Sequence, residues 1–347
     1  MEQFSIHKNE NLNVLFVERP SNPKLVYLQL MIGIGSDREI DKNLEIGHFL
    51  EHLFASLTSS KYPDSQSNRQ FFAKHNIIYD ATTESKTTTF EYSLLKSKLN
   101  LFLDMFIRAI IDFQVDLNIF KNERESIIEE LNDIIEDSTY LLTTETDNTL
   151  FKNYPRGTPD HIRLKNTKRM TPSEINDYWK ANYVSNTSIL GVFGKINKKE
   201  FMKQMVSIRK KHIEEYKITP KKGKTQSLLS YYPITTRNLT YPLIYLKSND
   251  TSQIKFSINL NFDLFDMDYY TIFALDFVLT NDLDSILYKK LRTEKGLIYN
   301  IESYFEVDEL QPELSFFYIE TSVSPNKIML VMHEIIAIFS ILTKKYL

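Results

Sequence analysis

The run that most constrains this chain is Leu44 to Pro63, LEIGHFLEHLFASLTSSKYP, with His48, Glu51 and His52 spaced His-x-x-Glu-His at its centre. On a helix, residues four apart lie one above the other on a single face. Both imidazoles can therefore reach one metal ion, and Glu51 stands one residue off the same stripe. Two neutral imidazoles and one further ligand, with a position left for water, is the layout of a catalytic zinc site. Histidines at this spacing also cap or pack helices without any metal. Here Leu44, Ile46, Phe49, Leu50, Leu53, Phe54 and Leu57 surround the motif, so the helix is expected in a core. Histidine and glutamate buried there need partners to offset desolvation, and a metal ion is one.

Composition narrows the ligands. The 347 residues include no cysteine, which excludes disulfides and thiolates and leaves His, Asp and Glu to hold any metal. A net charge of −3 and a pI near 6.2 offer no basic surface to nucleic acid or an anionic membrane. The N-terminal MEQFSIHKNE has no apolar core of a signal peptide, and its two Glu do not suit a transit peptide. The apolar run Ile328 to Leu342 is broken by His333 and Glu334 and reads as too short for a bilayer. The expectation is a cytoplasmic protein with no membrane and no nucleic-acid partner.

At this length about two domains are expected. Residues 12–18 and 25–34 read as strands, the motif helix follows, and a short helix is expected near 66–75. Residues 77–94 suit a strand pair, and helical periodicity returns over 96–112 and 116–136. The segment 153–170 reads as loop. Thr171-Pro172-Ser173-Glu174 is a capping box with Pro at the first helical position, opening a helix to about Tyr183. A strand near 187–194 and a Lys-rich helix over 197–215 close a first domain, 1–216. Residues 217–224, KITPKKGK, read as a linker, and 225–347 as a second domain. In it strands near 240–247 and 253–262, helices near 267–281 and 283–292, and strands near 296–305 and 313–321 precede a last helix capped at Ser324-Pro325.

The third ligand has to come from elsewhere, and residues 116–136, DLNIFKNERESIIEELNDIIE, offer several carboxylates. At 100° per residue Phe120, Ile127, Leu131, Ile134 and Ile135 make one apolar face. Glu125, Glu129 and Glu136 point away from it. Glu123 and Glu130 lie two turns apart on its edge, against the core, and so stand out from a solvated face.

His-x-x-Glu-His with a Glu 78 residues on, in the setting E-R-x-x-I-I-x-E, resembles the pitrilysin/insulinase family of zinc metallopeptidases, whose motif inverts that of the zincins. The resemblance implies one Zn2+ per chain on His48, His52 and Glu130, with Glu51 as general base and Glu123 as a second functional carboxylate. Gly35-Ser36 and Glu39 before the motif, Lys61-Tyr62-Pro63 after it, Tyr154-Pro155, and YVSNTSILGVFG from Tyr183 are similar too. In LYKKLRTEKGLIYNIES, Arg292 and Tyr299 resemble the pair that reaches substrate from the family's second domain. Asp80, Ala81 and Thr82 fall where the family binds substrate backbone on an edge strand, with Asp80 replacing its usual Asn.

The implied fold is α+β, two related αβ roll domains, each a mostly antiparallel sheet with helices on one face. They would face each other as a clamshell, the second shorter than usual. The implied activity is zinc-dependent endopeptidase, with small or unfolded polypeptides as substrates and homo- or hetero-oligomers left open. The rival reading is a catalytically weak or inactive peptide-binding or scaffold subunit of the same fold. Relatives of that kind usually lose the motif, and here His48, Glu51, His52 and Glu130 all remain.

Overall fold

The computed structural model describes residues 3–7, 12–18, 24–151, 155–183, 188–218, 244–247, 252–260, 268–308 and 315–346. The chain divides into two units, one built from 1–132, 154–156 and 160–231, the other from 133–153, 157–159 and 232–347. The second unit therefore takes in a segment from well inside the expected first domain. Most of the expected linker, 219–224, lies outside the described residues.

In the first unit, β1 (Gln3–His7), β2 (Asn13–Glu18) and β3 (Leu25–Ile32) precede the motif helix α1 (Ile46–Phe54). Helix α2 (Ser65–His75), strands β4 (Ile78–Thr83) and β5 (Thr88–Leu95), and helices α3 (Leu99–Asp112) and α4 (Leu117–Glu136) follow. Helix α5 (Ser138–Leu150) belongs to the second unit. The first unit resumes with α6 (Asp160–Arg169), α7 (Pro172–Tyr178), a π-helical turn Trp179–Tyr183, β6 (Ser188–Phe193) and α8 (Lys198–Tyr216).

The sheet order is β1-β2-β6-β3-β5-β4. Strand β6 runs parallel to β2 and antiparallel to β3, and the other pairings are antiparallel. Alternate residues of β3 and β5 (Val26, Leu28, Leu30 and Ile32; Phe90, Tyr92 and Leu94) are buried, the period of two that gives a sheet one core face. Phe49, Leu50, Leu53 and Phe54 of α1 join them in one cluster with Phe102 and Phe106 of α3. Phe54 fixes the helix in depth: its ring stacks on Trp179 at 4.2 Å and meets Phe90 edge-on at 4.6 Å. The capping box is present, Thr171 Oγ1 accepting the Glu174 amide and Glu174 accepting that of Thr171.

Residues 160–169 are helical, which corrects the loop expected over 153–170. Periodicity misses α6 because the positions it buries, Asn166 and Thr167, are polar.

The second unit has a sheet of order β7-β8-β10-β9, antiparallel throughout, with β7 (Ile244–Lys247), β8 (Ser252–Leu260), β9 (Ile298–Glu306) and β10 (Ser315–Val323). Its helices include α9 (Asp268–Thr280), α10 (Ile286–Tyr288), which continues as a π-helix over Lys289–Glu294, and α11 (Ile328–Tyr346). Both units thus carry a mostly antiparallel sheet with helices. Among the described residues the first sheet has six strands, with β6 between β2 and β3, and the second has four, with β7 paired directly with β8. Within residues 325–342 an 18-residue window of mean hydropathy 1.5 is long and apolar enough by composition to cross a membrane. That corrects the expectation that this run is too short. Ile328, Val331, Ile335 and Ile338 form a helical stripe in the second unit's core, while Met329, Leu330, Ile336 and Ile341 on the other faces are exposed.

Phe54→Ala removes the ring that seats α1 between sheet and Trp179. It is expected to destabilise the protein by about 3–5 kcal/mol, measured by denaturant unfolding of the metal-free chain.

Candidate metal centre

Helices α1 and α4 cross where Phe49 stacks on Phe120, ring centres 5.8 Å apart. With Phe120, Ile127 and Leu131 buried, α4 turns Glu130 toward the histidines. Its Oε2 lies 3.1 Å from His48 Nε2 and 3.6 Å from His52 Nε2. One donor atom from each of the three residues falls within 4.8 Å of the others. Glu129 is exposed and outside this cluster. Glu130 is itself 48% exposed, more open than its place on the edge of the apolar face suggested.

The arrangement fits a metal ion. Bonds of about 2.0–2.1 Å in a tetrahedral site put neighbouring ligand atoms about 3.3 Å apart, and 3.1 and 3.6 Å bracket that spacing. The nitrogens facing Glu130 are also the ones left over. His48 Nδ1 lies 3.2 Å from Glu45 Oε2, and His52 Nδ1 lies 3.2 Å from Glu123 Oε2. A neutral imidazole has one N–H, so when Nδ1 donates, Nε2 presents a lone pair. Two lone pairs meeting one carboxylate oxygen call for a cation among them.

Each of those outer carboxylates is gripped by an arginine. Arg163 Nη1 donates to Glu45 Oε1 at 2.8 Å, and Arg69 Nη2 donates to Glu123 Oε1 at 2.7 Å. Burial works against charge on both glutamates, but the bonds from His48 and Arg163 hold the Glu45 carboxyl below its usual range. Those from His52 and Arg69 do the same for Glu123. Burial of His48 favours its neutral form, yet the Glu45 bond and charge outweigh it and raise its pKa.

Glu39 shapes the entry to α1. Its oxygens accept the amides of Glu45 and Gly47, both at 2.7 Å. A Cβ at Gly47 would stand 2.4 Å from Glu39 Oε1, so only glycine lets the carboxyl sit against the helix. Burial, then the charge of Glu45, pushes Glu39 up to about 8 despite these two bonds.

Glu51, half-buried on α1, makes no side-chain hydrogen bond among the described residues. Its charge is felt at His48, so the carboxylate lies beside the cluster and remains unengaged. Asp80, Ala81 and Thr82 stand on β4, the edge strand next to β5. Thr83 Oγ1 donates to Gly47 O at 3.3 Å, which ties this edge to α1. The Asp80 carboxylate accepts the Ala81 amide at 2.9 Å. Arg292 and Tyr299 lie in the second unit and meet each other: the guanidinium stands 4.8 Å from the Tyr299 ring and 4.9 Å from that of Tyr288, whose hydroxyl it also contacts. Tyr299 is 77% exposed.

Sequence reasoning overlooked Glu45, Arg163 and Arg69 altogether, and gave Glu39 only as part of the resemblance. The spacing of three between Glu45 and His48 was a usable signal, since such residues neighbour each other on a helix. Nothing in the sequence couples Arg163 to Glu45 across 118 residues.

The chain is similar to known peptidases. Residues 14–159 match insulinase, peptidase family M16, and residues 169–345 match the peptidase M16 inactive domain. The chain belongs to the insulinase family of peptidases. An uncharacterized zinc protease of Bacillus subtilis is 24% identical over 298 residues, 84% of this chain and 67% of that protein. The mitochondrial-processing peptidase subunit beta of Dictyostelium discoideum is 22% identical over 171 residues, 49% of this chain and 36% of its own length. A protease from Helicobacter pylori shares the fold with a TM-score of 0.71 at 18% identity, covering 100% of this chain and 81% of that one. Pitrilysin does so with a TM-score of 0.71 at 17% identity over 37% of its chain. The chain therefore spans about two thirds of the bacterial relative and little more than a third of the Dictyostelium subunit.

Because Glu39 holds its proton to about pH 8 in the fold and loses it near 4.5 when unfolded, the folded state binds more protons between these values. Stability of the metal-free protein should therefore fall as pH rises through that window. Glu39→Gln, an isostere of the protonated acid, should flatten the slope, read as melting temperature against pH.

Proposed function

We propose that this chain is a zinc-dependent endopeptidase acting on small or unfolded polypeptides, with one zinc held by His48, His52 and Glu130. The observation that carries the reading is the meeting of two Nε2 atoms with one Glu130 oxygen at tetrahedral spacing, with an unengaged Glu51 beside them. Family membership and the zinc protease relative support it.

When bound there, zinc supplies Lewis acidity that polarises a peptide carbonyl and acidifies water. Glu51 is placed to take the proton of the attacking water and return it to the leaving amine, a role worth about 10²–10⁴-fold in rate. Glu123 holds His52 in the tautomer that frees Nε2, with Arg69 holding Glu123. The edge that β4 forms among the described residues offers backbone groups to an extended peptide by strand addition, next to the helix that carries the ligands. Asp80, at this edge, puts a negative charge where substrate would lie and so favours basic over acidic residues there. Arg292 and Tyr299 are assigned to substrate on the strength of the resemblance. The exposure of Tyr299 and the stacking of Arg292 against it suit a pair of donors held ready for a carbonyl. The named beta-subunit relatives make a hetero-oligomeric partner part of the reading.

Glu51→Gln should retain one zinc per chain and lose about 10²–10⁴-fold in cleavage of a quenched peptide. Undiminished cleavage by the zinc-loaded variant would remove Glu51 from the reaction.

Glu130→Gln should strip the metal, whereas Glu129→Gln, one residue away on the exposed face, should behave as a surface change within about 0.5 kcal/mol. Metal analysis and thermal melting of both variants separate the two positions.

A further inference from the structure

Glu45 occupies a backbone position that glutamate does not favour. It stands at the N-cap of α1 with φ 75° and ψ 4°, in the left-handed region, and its side chain makes no cap bond to the helix. Left-handed backbone is sterically unfavourable for a residue with a Cβ, and glycine would adopt it freely. A side chain kept at such a position, 7% exposed, needs a reason in what it touches.

Glu45 touches two groups. One oxygen meets His48 Nδ1 one turn along the helix, at 3.2 Å, and the other receives Arg163 Nη1 at 2.8 Å. Arg163, 14% exposed, is anchored in turn, its Nη2 donating to Pro155 O at 2.8 Å. The order arginine, carboxylate, imidazole Nδ1 repeats on the other histidine, as Arg69, Glu123 and His52. The two chains of contacts come from different elements and end on adjacent rings 4.9 Å apart, each leaving Nε2 toward Glu130.

We infer that Glu45 is a positioning residue for His48, held by Arg163, and that it fixes the Nδ1–H tautomer so that Nε2 is free for metal. A free histidine side chain prefers its proton on Nε2, so the protein must supply an acceptor at Nδ1, and Glu45 is that acceptor. Outer carboxylates of this type orient a ligand and raise its basicity, and their loss typically costs about 10–100-fold in metal affinity. The inference rests on the reading of His48 as a zinc ligand.

The test compares the full-length wild type with Glu45→Gly and Glu45→Gln. Glycine suits the left-handed backbone and removes the acceptor. Glutamine keeps a carbonyl oxygen within reach of Nδ1. Three quantities are read: zinc affinity by chelator competition, the visible spectrum of the cobalt-substituted protein, and the His48 tautomer by nitrogen NMR of the metal-free protein under alkaline conditions. Glu45→Gly should bind zinc roughly 10–100-fold more weakly, alter the cobalt spectrum and move the His48 proton to Nε2; it relieves the left-handed backbone but leaves Arg163 without its carboxylate, so tautomer and cobalt spectrum, not melting, decide the role. Glu45→Gln should keep the Nδ1–H tautomer and recover part of the affinity. A merely structural ion pair would change melting while leaving tautomer and cobalt spectrum as they were, and that result overturns the inference. Wild-type zinc affinity together with an unchanged tautomer in Glu45→Gly overturns it equally. If the wild type takes up no zinc, the metal reading fails instead, and the tautomer measurement still decides what Glu45 does.

Discussion

Two imidazole nitrogens and a carboxylate oxygen drawn to one point form the constraint on which the rest of the first unit depends. Such a meeting is unstable without a cation or extra protons, and it exists only because two helices are pinned by apolar contacts away from it. Phe54 against Trp179 sets the depth of α1, and Phe49 on Phe120 sets the approach of α4. The polar centre is thus positioned by close packing of these rings. The sheet supports α1, which packs against β4 and β5.

Charge around the centre follows the same logic. Glu45, Glu51, Glu123 and Glu130 bring four carboxylates near the histidines, and Arg69 and Arg163 bring two guanidinium groups. The two arginines neutralise the two glutamates that never face the metal position. The two carboxylates left over, Glu51 and Glu130, match a divalent ion in charge. Burying Glu45 and Glu123 without their arginines would leave uncompensated charge, a strongly destabilising state. Glu39 escapes the difficulty by keeping its proton.

How much of this the sequence discloses depends on the kind of interaction. Helix α1 and the helix that places Glu130 rather than Glu129 at the centre follow from apolar periodicity, which local spacing records directly, and the strand pair 78–83 and 88–95 from its Thr, Tyr and Phe content. Helix α6 leaves no such trace, since its buried positions are polar and its key side chain, Arg163, works on a residue 118 positions away. Glu45 hides for another reason: a glutamate before a helix reads as an ordinary first-turn acid, and its left-handed backbone is invisible in the residue type. The insertion of β6 between β2 and β3 is likewise a long-range pairing with no local sign. Sequence therefore exposes the atoms that would hold metal and one carboxylate that aims them, Glu123, and conceals Glu45 and both arginines.

The most direct measurement is a crystal structure of the zinc-loaded chain with anomalous data at the zinc edge. The account predicts a single ion bound by Nε2 of His48, Nε2 of His52 and a carboxylate oxygen of Glu130, with Glu45 and Glu123 still on the two Nδ1 atoms. Zinc bound through either Nδ1, or directly by Glu45 or Glu123, would contradict it.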